Sequence, residues 1–131
     1  AHQTTLTVRV TDVNYGGHLA NNAVAGLLHQ ARIEVLRELG LTEMDLGDGK
    51  TGLVMTDMAV SFGAEAFMND ELTVESEFAA VKRTTFRMSH RLSRDAAVIA
   101  LADMGFAGYN YAAHKLAALP ASFVDRIKPA N

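Results

Sequence analysis

Seven residues within one short stretch have the types that acyl-transfer chemistry needs: Asp12, Asn14, Gly16, Gly17, His18, Asn21 and Asn22. His18 can move a proton near neutral pH, and Asp12 can be its partner or the base itself. Asn14 has no titratable proton and can only orient or donate. Gly16 and Gly17 allow close backbone approach. If a helix begins just beyond them, its unpaired amides at the positive end of the dipole can hold a developing oxyanion. The plainer alternative is that Asp12 and Asn14 close an Asx-turn and the glycines a tight connection. On residue types alone the two readings stand level.

The flanking patterns say what must position this loop. Leu6, Val8 and Val10 alternate with Thr5, Thr7, Arg9 and Thr11, the period of a half-buried strand ending at Asp12. Val24, Leu27, Leu28, Ala31, Val35 and Leu39 then fall on one stripe, which predicts a helix over roughly 22–39. Asn21 or Asn22 is the expected N-cap and Gly40 the left-handed C-cap, with Leu41 as its hydrophobic contact. Period two follows. Val54, Thr56, Met58, Val60 and Phe62 share a face, Leu72 to about Val81 forms the next strand, and Phe86, Met88, His90 and Leu92 are one face of a third. Arg94-Asp95 turns the chain into Val98–Tyr111, which is apolar on both faces and so belongs in the middle of a sheet or at a subunit interface. The order strand, long helix, four antiparallel strands is α+β, with a curved sheet wrapped around one helix in one domain spanning 1–131. Its free sheet edge needs pairing or blocking, so a homo-oligomer is expected, a dimer or a tetramer.

Other candidates stand apart from the loop. Glu65 follows Phe62-Gly63-Ala64, where a strand end can turn a carboxylate toward the site and supply the base that Asn14 cannot be; a solvated rim position is the simpler reading. His29 and His90 lie inside regular elements and read as packing residues. The methionines, including Met55, Met58, Met88 and Met104, read as core filler rather than as an acyl channel.

Composition excludes several classes. Twelve basic against fifteen acidic residues give a formal charge of −3 without a basic field, which argues against nucleic acid as partner. No apolar run is long enough for a membrane span, Ala1 to Val10 does not read as a signal peptide, and the absence of cysteine rules out disulfides and thiolate nucleophiles. A cytoplasmic location fits this pattern. The lack of cysteine also excludes a Cys-containing zinc site.

The run Thr-Asp-Val-Asn-Tyr-Gly-Gly-His-Leu-Ala-Asn-Asn from Thr11 to Asn22, continuing through Leu27–Arg32, resembles the signature of hotdog thioesterases of the 4-hydroxybenzoyl-CoA thioesterase-like group. Asn69-Asp70-Glu71-Leu72 and the Leu-Pro-x-x-Phe of Leu119–Phe123 are similar to later pieces of that family. The resemblance implies a hotdog fold, a dimer with active sites at the subunit interface, and hydrolysis of acyl-CoA or acyl-carrier-protein thioesters, with no metal and no redox cofactor and with CoA present only as part of the substrate. In one branch the catalytic acid aligns with Asn14, so this chain departs there. A plant-type branch resembles the set Asp12, Asn14, His18, Asn21 and Asn22 with a different spacer. From the family, Asp12, Asn14 and His18 are candidate catalytic side chains, Asn21 lends the oxyanion amide with Asn22 beside it, and Lys82, Arg83 and Thr84 approach the nucleotide phosphates. A charged, solvated hairpin turn is the plainer account of that basic pair. Hydration of an enoyl-CoA, from the similarity of Asp12-Val13-Asn14 and His18 to hydratase motifs, and ligand binding without turnover are the alternative activities.

Overall fold

The computed structural model describes residues 2–128; Ala1 and Pro129 lie outside the described residues. Alternation of apolar and polar side chains builds an antiparallel sheet from β1 (His2–Thr7), β2 (Thr51–Phe62), β3 (Glu71–Ala79), β4 (Thr85–Arg94) and β5 (Ala97–Asn110), in spatial order β1-β3-β4-β5-β2. A two-residue β6 (Lys115–Leu116) adds to the end of β5. The long helix α1 (Asn21–Glu38) lies on the inner face, and a short α2 (Ala121–Ile127) closes one end.

The period-two faces meet the helical stripe. Leu72 and Val74 on β3, Phe86, Met88 and Leu92 on β4, and Met104 and Phe106 on β5 are buried against Val24, Leu28, Ala31, Val35 and Leu36 of α1. Each fully buried large side chain contributes on the order of 1.5–3 kcal/mol. Of the methionines, Met88 and Met104 are core filler as expected. The apolar β5 lies between β4 and β2, the internal position its two-sided pattern predicts. Gly40 takes φ +73°, and Leu41 N donates to Leu36 O at 2.8 Å, completing the expected C-cap.

Four local expectations are corrected. The first strand ends at Thr7, not Asp12, because the Asp12 carboxylate captures Arg9 and folds Val10–Asp12 into a 3-10 turn that leaves Val10 exposed. The N-cap is Ala20, whose amide donates to Asp12 O at 2.9 Å; Asn21 and Asn22 are the first two helical residues. On β2 a bulge at Thr56 flips the face, so Met55, opposite Phe106, joins Met58, Val60 and Phe62 on the inner side while Val54 turns outward. The sheet has a second helix to cover it: α2 seats Phe123 against Phe86 at 5.3 Å and Phe78 at 6.3 Å between ring centroids. Arg126 of α2 donates to Leu39 O at 2.7 Å at the carbonyl end of α1, where a cation is favoured. Phe123→Ala is expected to cost about 3–5 kcal/mol in denaturant unfolding, the range for emptying a buried aromatic site. A loss under about 1 kcal/mol would mean that α2 is dispensable to the core.

Two edges remain. β2 carries a 12-residue outer edge with no strand beside it among the described residues, and its inner row Met55, Met58 and Phe62 is 38%, 45% and 50% exposed. Among the described residues, no helix is long and apolar enough to cross a membrane.

Candidate active site

Thr11–Ala20 is tied down at both ends. Val13 bridges Leu19, Asn14 N donates to His18 O at 2.9 Å, and Ala20 N returns to Asp12 O. The Asn14 side chain is spent on the loop itself: Oδ1 accepts from Gly16 N at 3.0 Å and His18 N at 3.3 Å, the Asx-turn that residue type allows. Its Nδ2 donors remain free. A Cβ on Gly16 would stand 2.9 Å from His18 Cδ2, so the ring's position requires glycine there.

His18 is brought to Glu65. Leu19 N donates to Ala66 O at 2.7 Å and His18 bridges Phe67, which zips the loop to the segment leaving β2. Glu65 Oε2 then lies 2.9 Å from His18 Nδ1, within ion-pair range but off the line along which a ring N–H donates, so Nδ1 is buried without a formed hydrogen bond. The Glu65 side chain is mostly exposed. Phe67 backs the imidazole at 5.1 Å between centroids, and Nε2 is left for other work.

Asp12 is engaged elsewhere. Its buried carboxylate accepts Arg9 N at 2.8 Å, Nε at 3.1 Å and Nη2 at 3.0 Å. Hydrogen bonding to Arg9 holds its carboxyl below the usual carboxylate range despite burial, which makes it a poor proton acceptor. Asn21 and Asn22 open α1 with exposed side chains, and their backbone amides have no internal acceptor. A groove of about 500 Å³ lined by Val10, Val13, Asn14, Tyr15, Asn22 and Ala23 runs alongside.

Lys82, Arg83 and Thr84 are not brought to this loop within the chain. They occupy the turn between β3 and β4 at the far end of the sheet, the length of the nine-residue β3 away, roughly 30 Å at 3.3 Å per residue. There Lys82, Arg83 and Lys128 rim a groove of about 440 Å³ floored by Val81, Leu119 and Val124. Lys128 was not anticipated, since it arrives with the unforeseen α2. Nor were Phe67 and Arg94: neither has the residue type of a general acid or base, and only the fold places Phe67 at His18 and Arg94 at Glu65 and Phe67. Among the described residues, no group of three or more His, Asp or Glu side chains is arranged to hold a metal ion.

A curved antiparallel sheet around one long helix, with a polar loop at the helix start, is the hotdog arrangement of thioesterases. The sequence model of the thioesterase-like superfamily matches residues 8–127, and the chain belongs to that superfamily. Among solved structures it is similar to a probable thioesterase from Bartonella henselae, at 21% identity over 91% of this chain and 98% of that one, with a TM-score of 0.83. It is also similar to a 1,4-dihydroxy-2-naphthoyl-CoA thioesterase from Synechocystis, at 20% identity over 95% and 93% of the two chains and a TM-score of 0.85. A gentisyl-coenzyme A thioesterase shares 20% identity over 92% and 98%, with a TM-score of 0.82. No curated protein sequence matches the chain.

Proposed function

We propose that this protein hydrolyses an acyl thioester of CoA or of an acyl carrier protein to the free acid and thiol. The observation that carries this reading is the 2.9 Å approach of Glu65, in the segment leaving β2, to His18, in the loop that ends at the free amides of Asn21 and Asn22. The amides accept the developing charge of the carbonyl oxygen. His18 Nε2 takes a proton from water as its oxygen bonds to the acyl carbon, Glu65 steadies the imidazolium, and the same proton goes to the departing thiolate as the C–S bond breaks. Asp12 and the Asn14 carbonyl hold the loop, which leaves the Asn14 amide group to donate to a bound thioester.

Two-fold pairing along the outer edge of β2 supports the rest of the substrate. It covers Met55, Met58 and Phe62, and because the partner strand runs antiparallel, it sets one protomer's loop end against the other's far end. Lys82, Arg83 and Thr84 of one subunit thereby meet the phosphates of a thioester bound at the loop of the other, with arginine suited to bidentate contact. The similarity to a 1,4-dihydroxy-2-naphthoyl-CoA thioesterase and to a gentisyl-coenzyme A thioesterase supports this choice of substrate class.

Thiol release from a panel of short, long and aromatic acyl-CoA and acyl-carrier-protein thioesters is the test, with sedimentation to follow assembly. Turnover by a dimer or tetramer is expected. Tight acyl-CoA binding without any release of thiol replaces hydrolysis with a binding role, and a protein that stays monomeric at micromolar concentration removes the shared site.

A further inference from the structure

We propose that Arg94, at the end of β4, is the positioning residue that sets the Glu65 carboxylate on His18. This rests on the hydrolytic reading of the loop. Arg94 Nη1 donates to Glu65 O at 2.8 Å and to Asp70 Oδ2 at 2.9 Å. Among the described residues, nothing else hydrogen-bonds the Glu65 backbone. The neighbouring Gly63 and Ala64 amides are fastened to Ile99 O and Val98 O of β5, and Ala66 O to Leu19. Glu65 is therefore the one link between two fastened ends, and Arg94 holds it.

The guanidinium does three things at once. It fixes the carbonyl of Glu65, it pairs with Asp70, and it lies over the Phe67 ring at 5.9 Å, the same ring that contacts the imidazole of His18 at 5.1 Å between centroids. A free arginine this close to Glu65 would capture its carboxylate, since an arginine–carboxylate pair is stronger than an arginine–carbonyl bond. Asp70 prevents that. Its Oδ2 accepts from Arg94 Nη1 and also from Phe67 N at 2.8 Å, so Asp70 neutralises the guanidinium and leaves the Glu65 carboxylate for the histidine. Those two bonds also hold the Asp70 carboxyl below the usual range, Phe67 N first and Arg94 second, which keeps it charged for this task. None of the three contacts places Arg94 against substrate; it acts through Glu65.

The experiment is a double-mutant cycle on thioester hydrolysis with Arg94→Met, Glu65→Gln and the pair, with Arg94→Lys as the conservative variant. Arg94→Met is expected to lower kcat about tenfold with KM within about twofold, and to cost under about twofold once Glu65→Gln is present, because coupled groups are non-additive. Arg94→Lys should recover most of kcat. An undiminished kcat in Arg94→Met, or the same loss in both backgrounds, overturns the proposal, since a purely structural arginine adds its cost regardless of Glu65. If Arg94→Met does not fold by thermal melt, Asp70→Asn takes its place: it frees Arg94 to capture Glu65 and must lower kcat with the same dependence on Glu65, and an unchanged kcat there overturns the proposal too. The two readings fail differently. Full activity in both Glu65→Gln and His18→Ala sinks the catalytic pair, and Arg94 with it; loss in those two with none in Arg94→Met sinks Arg94 alone.

Discussion

His18→Ala lowers kcat for thioester hydrolysis by about a hundredfold or more, roughly 2.7 kcal/mol of transition-state stabilisation, with the melting temperature near that of the wild type. The expectation follows from elimination among the loop's groups. Asp12 has given both carboxylate oxygens to Arg9, Asn14 cannot accept a proton and has spent Oδ1 on two backbone amides, and Glu65 is in contact with the ring instead of replacing it. His18 is the remaining proton acceptor in the loop. Its side chain is 37% exposed and lies outside the buried core cluster, against Phe67 and the Gly16 backbone, so its removal takes little from the core. Truncation also leaves a ring-sized space beside Glu65, so added imidazole should restore part of the rate. Activity within threefold of wild type would show that water is activated elsewhere.

Acidification alone should destabilise the fold well before its carboxylates titrate. His90, buried on β4, shares a 2.7 Å contact between Nδ1 and Ser76 Oγ, while Nε2 has no partner. Burial, with the Arg32 guanidinium of α1 nearby, pushes its pKa from 6.5 down to about 4. Arg32 is itself fixed in that interior, donating to Glu43 at 2.8 Å and lying over Phe106 at 4.9 Å. Glu43 stays ionised because its hydrogen bonds to Arg32 and His29 outweigh the upward push of burial.

The sign is set by which state binds the proton. Above pH 6.5 the ring is neutral folded and unfolded, and it contributes no slope. Between 6.5 and about 4 only the unfolded chain binds the proton, so stability falls with pH, and below about 4 both states are charged and the contribution is flat. Integrated, the loss is on the order of 2 kcal/mol between pH 7 and pH 5 and about 3 kcal/mol by pH 4. Chemical unfolding of wild type and His90→Gln at pH 7 and pH 5 isolates it: the variant should lack that part of the slope, and parallel curves would assign the acid sensitivity to other groups.

The order of elements was legible because each rests on local period: the α1 stripe, the alternation of β4 and the two-sided β5. What was not legible depends on contacts between distant residues or on a single extra residue. The Thr56 bulge hides in an alternation that stays apolar on either side of it, so Met55 and Val54 exchange faces without any sign in composition. Pro120–Ile127 is too short to show a helical period, and its Phe123 gains meaning only from Phe78 and Phe86, far off in sequence. In the loop, Asn14 and His18 were visible by type. The pairing of His18 with Glu65 depends on a zip between two segments nearly fifty residues apart, and Arg94 on a third. Asp12 looked catalytic because its partner Arg9, three residues back, read as part of a strand.

The bulge on β2 has a further meaning for the time just after synthesis. In a single newly made chain a 12-residue edge with Met55, Met58 and Phe62 beside it has no strand against it among the described residues and lies open to any passing strand. A straight strand cannot follow that edge through the break at Thr56, because the kink adds twist and interrupts the regular ladder. Promiscuous pairing is thus limited to short stretches, weak enough to release, and the irregularity that confounds a reading of the sequence also acts as the molecule's guard against strangers.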